Sequence, residues 1–122
     1  MREMDEYFKS LLTQISESYN FLEEMKDKPN DLDIIQVQLG KIQGLVKVLC
    51  NKIEASHNES DDFSELLKFA KKYLENYDFN HIIDTYQLYS EDVMRIKNIR
   101  ISILSSLEES KLILKIQSML ER

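Results

Sequence analysis

The chain has 122 residues, a formal charge of −6, 43% apolar and 31% charged residues, two glycines and one proline. That balance describes one folded domain over residues 1–122 and excludes a disordered chain. So few turn formers leave little room for an all-β fold, and a negative net charge argues against a general nucleic-acid binder.

No apolar run approaches the ~20 residues of a membrane span. The start, MREMDEYFKS, has acids where a signal peptide needs a basic start and an apolar run. Cys50 is the single cysteine, so no internal disulfide can form. A reducing, cytoplasmic setting is the expectation.

Residues 3–27 read as the first helix. Met4, Phe8, Leu11, Ile15, Ser18, Leu22 and Met25 follow a strict 4-3 spacing, the mark of a heptad seam. The stretch DKPND breaks it, because Pro29 disfavours helix at Lys28. Asn30 or Asp31 is placed to cap the next helix. That second helix, 31–56, is the clearest element. Leu32, Ile35, Leu39, Ile42, Val46, Leu49 and Ile53 are all apolar at seam positions.

After the loop SHNESDD, a third helix spans 62–76, with Phe63, Leu66, Leu67, Ala70, Tyr73 and Leu74 on one face. Asp62 and Glu65 have capping-box spacing, with Asp in place of Ser or Thr. Residues 79–89 continue as helix, with Phe79, Ile82, Ile83, Tyr86 and Tyr89 inward. Ser90, followed by Glu91 and Asp92, reads as the cap of a last helix running from 91 to 120. Within it, NIRISIL and KLILKI alternate like strands, so a hairpin across SSLEES is a competing reading. That connector lacks Gly, Pro, Asn and Asp, and a lone hairpin would expose its edges. The predicted fold is all-α: an up-and-down bundle of four to five helices with heptad packing.

Gly40 and Gly44 raise the main functional question, since each costs ~1 kcal/mol against alanine in a helix interior. On a helical wheel they lie far from the seam, together with Ile34, Val37 and Val48. The last helix is also two-faced. One stripe holds Ile96, Ile99, Ile103, Leu107 and Leu114, and the other holds Met94, Ile101, Leu112, Ile116 and Met119. A helix apolar on two sides is central in a bundle or meets another chain. Small residues at i and i+4 let a second backbone approach closely. The predicted partner interface is therefore Ile34, Val37, Gly40, Gly44, Val48, Met94, Ile101, Leu112, Ile116 and Met119. A close crossing within the chain, a local bend or a helix break at the glycines are the other readings.

Signals for chemistry are weak. Glu54-x-x-His57 and Asp78-x-x-His81 have the spacing of bundle carboxylate–histidine metal sites. An intervening helix of ~15 residues would hold the histidines ~20 Å apart. No metal or cofactor is expected. The acids Glu23, Glu24 and Asp27, with Asp61, Asp62 and Glu65, resemble the magnesium ligands of all-helical nucleotide pyrophosphohydrolases, but most of them fall off the seams. KFAKK and RIKNIR are basic, yet the turn pattern of a helix-turn-helix reader is missing. Cys50, beside Leu49, reads as a small packing residue.

Residues 66–89, LLKFAKKYLENYDFNHIIDTYQLY, resemble a tetratricopeptide helix pair. Ala70, Tyr73, Asp78, Phe79, Ile83 and Tyr86 match the pattern; Tyr77 and Ile82 depart from its usual glycine and alanine. No second copy lies 34 residues away in either direction. The resemblance implies a helical hairpin rather than stacked repeats. The expected function is non-enzymatic: a small chaperone, adaptor, immunity-type inhibitor or assembly subunit binding a protein as homodimer or hetero-complex. A magnesium-dependent pyrophosphohydrolase-like enzyme and a small transcriptional regulator are the competing functions.

Overall fold

The periodic segments fold as helices, and their apolar positions define one core. The computed structural model describes residues 6–56, 60–77, 79–86, 88 and 91–121, apart from the side chains of Asn80, Ile82 and Tyr86. Among the described residues there are six helices and no strand. They are α1 (Glu6–Glu24), α2 (Leu32–Ser56), α3 (Asp61–Asn76), α4 (Asn80–Tyr86), α5 (Val93–Glu109) and α6 (Leu112–Leu120). The hairpin reading of residues 98–116 is therefore overturned.

The α1 and α2 seams bury as the spacing predicts. Phe8, Leu11, Ile15, Ser18 and Leu22 of α1 are buried against Leu32, Ile35, Leu39, Ile42, Val46, Leu49 and Ile53 of α2. Met4 lies outside the described residues. Between the two helices, Asn30 takes a left-handed φ of 72°, a conformation asparagine tolerates. Asp31 turns its carboxylate back to accept from the Lys28 amide at 3.2 Å. Lys52, near the end of α2, sits 5.0 Å from the centre of the Tyr7 ring, near the start of α1. The pair is therefore antiparallel.

Helix α3 packs on α2 and α6. Its cap is Ser60, whose Oγ accepts from the Phe63 amide at 3.3 Å. The Asp62–Glu65 capping box does not hold, because Lys115 of α6 takes both carboxylates, each at 2.8 Å. Ala70, Tyr73, Phe79 and Ile83 are buried, as the helix-pair resemblance implies. Helix α4 nevertheless has α5 as its main neighbour. Asp78, Tyr89 and Ser90 lie outside the described residues. The cap of α5 is Asp92, whose Oδ1 accepts from the Met94 and Arg95 amides at 3.1 and 3.2 Å.

The largest correction concerns the last helix. It is two helices, because Lys111 adopts φ 67°, ψ 6°. The Ser110 and Lys111 amides close the end of α5 on the carbonyls of Ser106 and Glu108. The fully buried Ser110 donates its hydroxyl to the Leu107 carbonyl. A left-handed residue turns the chain, so the wheel of residues 93–109 does not continue past 111. Leu112, Ile116 and Met119, predicted for a partner face, are therefore core residues packed toward α1, α3 and α5. Leu114, predicted for the core stripe, is 58% exposed. Ile96, Ile99, Ile103 and Leu107 are buried as expected.

Two long-range polar links fasten α5 to the α1 side. Arg100 forks onto Asp27 at 2.8 and 3.1 Å and donates a third bond to the Leu22 carbonyl at 3.0 Å. The Tyr19 hydroxyl donates to Glu108. Both links run from α1 to α5 in opposite chain directions, so these helices are antiparallel too. Two buried hydroxyls, of Ser18 and Tyr73, make no hydrogen bond of ordinary geometry among the described residues, although Ser106 lies beside Tyr73.

Candidate interaction surface

The outer side of α2 carries the feature that stands out. Its seam faces the core, and half a turn away Ile34, Val37, Gly40, Gly44 and Val48 are exposed, Val37 to 65%. Both glycines have ordinary helical backbone, and α2 runs through them unbroken. A Cβ added at either would meet nothing within 4 Å. A helix break and a close crossing within the chain are thus both overturned. Beside a local bend, what remains is a helix with its propensity weakened at two open positions, flanked by three exposed β-branched residues.

This strip is continued by α1. Tyr7 and Phe21 are exposed, and they lie fourteen residues apart on one side of that helix. Tyr7 sits at the level of Lys52. In an antiparallel pair with equal rise, ~1.5 Å per residue, Phe21 falls at the level of Gln38, between Ile34 and Lys41. Phe21 was not among the predicted interface residues. The signal that finds it is register: it is the apolar residue of α1 that falls off the seam beside the strip.

Charge divides the strip by its ends. Asp33 lies in the first turn of α2 and is exposed. Lys41 and Lys47 are exposed further along. Residues 35–53 hold three lysines and no acid, so the face is negative at its start and positive toward its end.

The remaining predicted interface residues part company. Met94 and Ile101 are 61% and 43% exposed, seven residues apart on one side of α5. That helix packs mainly on α6, α1 and α4, and these two residues form a second, separate patch. Leu112, Ile116 and Met119 are in the core, for the reason already given.

Several of the groups considered for chemistry have structural partners. Asp27 is held by Arg100, and Asp62 and Glu65 by Lys115, whose ammonium these carboxylates stabilise, raising its pKa. Glu54 pairs with Lys71 at 2.7 Å, on the surface, where such a contact is worth little. In RIKNIR, Arg95 pairs with Asp92 and Arg100 with Asp27. Burial, with a smaller push from Glu54, moves the Cys50 thiol up and away from thiolate chemistry. His57 lies outside the described residues. Among the described residues no three His, Cys, Asp or Glu side chains gather as a metal site, and no helix is long and apolar enough to cross a membrane.

Comparison with known proteins gives one short similarity. An alignment over 88 residues, covering 69% of this chain, is 35% identical to "Muscle-specific protein 300 kDa" of Drosophila melanogaster, of which it spans 1%. No family model matches the chain, and no solved structure matches it.

Proposed function

We propose that this chain is a non-enzymatic interaction protein. In this reading it is an up-and-down helical bundle with heptad-type packing along its seams. It acts in the cytoplasm by docking a protein on apolar helix faces, as a small chaperone, adaptor, immunity-type inhibitor or assembly subunit does. The antiparallel α1–α2 and α1–α5 pairs support the bundle description. The observation that carries the function is the outer face of α2. There, exposed Ile34, Val37 and Val48 flank two glycines with open space above them.

A surface helix normally turns polar residues outward. Scattered exposed apolar residues need no explanation, but a row of them along one face marks a contact site. Three of the six acids that would have to bind magnesium in an enzyme, Asp27, Asp62 and Glu65, are held by Arg100 and Lys115, which favours the interaction reading over the pyrophosphohydrolase one.

Val37→Glu tests the proposal. The side chain is exposed, so the melting temperature should change by no more than about 2 °C, as surface substitutions usually stay within ~0.5 kcal/mol. Sedimentation of the pure protein, and capture from native lysate alongside it, should show association weakened at least about tenfold. Association unchanged in both assays would contradict the reading.

A further inference from the structure

We infer that the occupant of the α2 face is a second copy of this chain, packed antiparallel about a two-fold axis near Lys41. This rests on the interaction reading and names its partner. Three observations carry it, and the first selects the antiparallel arrangement.

The first is charge. Asp33 sits at one end of the strip and Lys47 at the other, both exposed. A parallel copy would set Asp33 against Asp33 and Lys47 against Lys47. An antiparallel copy sets each Asp33 near the other chain's Lys47, twice by symmetry. Opposite charges so placed fix register and orientation more than they add affinity. The second is apolar shape. Ile34 and Val48 are equidistant from position 41, so the antiparallel copy brings Ile34 of one chain to the level of Val48 of the other. A self-complementary patch of this kind is what a two-fold contact requires.

The third is Phe21. Its level on α2 is Gln38, so in a two-fold contact the ring widens the apolar patch on the α1 side of both copies. The space above Gly40 and Gly44 is open. The glycines let the two α2 backbones approach. Lys41 lies on the α1 side of the strip, where its four-carbon stem can carry the ammonium to solvent. The strip from Ile34 to Val48 is ~21 Å long. That length suits a small interface and micromolar association.

Sedimentation equilibrium on the full chain, with circular dichroism to check folding, tests the arrangement through charge reversal. Wild type should be a dimer. Asp33→Lys alone, and Lys47→Asp alone, should each raise the dissociation constant about tenfold, because each puts two like-charge pairs into the symmetric contact. Mixed one to one, the two variants should form a heterodimer at least as tight as wild type, since both pairs are then opposite in sign. A role of either residue in folding would not give that rescue. A dimer weakened by the single changes but not restored by mixing would overturn the antiparallel arrangement, and so would a dimer indifferent to both. A wild type still monomeric at about 1 mM would overturn self-association. The interaction reading itself would then stand or fall on lysate capture by wild type and Val37→Glu.

Discussion

Ile116→Ala is expected to destabilise the chain by about 3–4 kcal/mol, and Leu114→Ala, two residues away, by less than about 0.5 kcal/mol. Ile116 is 0% exposed and Leu114 58%. Ile116 belongs to the short helix α6, which closes the core against α1, α3 and α5. Truncating it removes buried methylene groups and leaves a cavity that four packed helices cannot collapse into. Leu114 loses only surface contacts. For a domain of this size the first change lowers the melting temperature by more than about 10 °C. One continuous helix from 91 to 120 would reverse the outcome, because Leu114 would then share the buried stripe of Ile103 and Leu107. Thermal melts of the two variants decide between a turn at Lys111 and a straight helix.

Arg100→Ala should cost about 2–3 kcal/mol, a loss of roughly 8–15 °C in melting temperature. Its side chain and that of Asp27 are only 11% and 12% exposed. The guanidinium satisfies both Asp27 oxygens and the Leu22 carbonyl at the end of α1. Removing it leaves a nearly buried carboxylate without its counter-charge and a helix-end carbonyl with only the long 3.4 Å bond from the Met25 amide. Arg100→Lys should fall between the two, since a lysine keeps the charge but cannot fork onto a carboxylate. A melting temperature within about 2 °C of wild type for Arg100→Ala would show that the link between α5 and the α1–α2 connection contributes nothing.

These two predictions mark the boundary of what the sequence reveals. Helix existence was legible because apolar spacing alone sets it: all seven α2 seam residues are buried. So was the outer face of α2, which comes from the same wheel. The break at Lys111 was not. Nothing in SSLEESKLIL is a glycine, proline or asparagine, and the turn is made by a lysine in a conformation that side chain rarely adopts. Because a helical wheel carries phase forward indefinitely, one unmarked turn moved Leu112, Ile116 and Met119 from a supposed partner face into the core. The Arg100–Asp27 and Lys115–Asp62–Glu65 links were equally invisible. They join residues 73, 53 and 50 positions apart, and local spacing says nothing about which distant helices become neighbours. Ser18, polar in an otherwise apolar seam, is buried at 2% exposure with its hydroxyl unpaired among the described residues. We have no physical account of why it is retained.

Gly44→Leu tests the claim that α2 presents its outer face to another protein, because stability and association should move in opposite directions. Nothing lies within 4 Å of a Cβ at this position, so a side chain causes no overpacking in the chain itself. Leaving glycine behind in a helix interior should raise stability by several tenths of a kcal/mol to about 1 kcal/mol. The same side chain occupies the space through which the partner approaches. The expected result is a melting temperature a few degrees higher, with association measured by sedimentation at least about tenfold weaker. A variant that is more stable and no less associated would sink the claim and leave the strip of Ile34, Val37 and Val48 as bare surface.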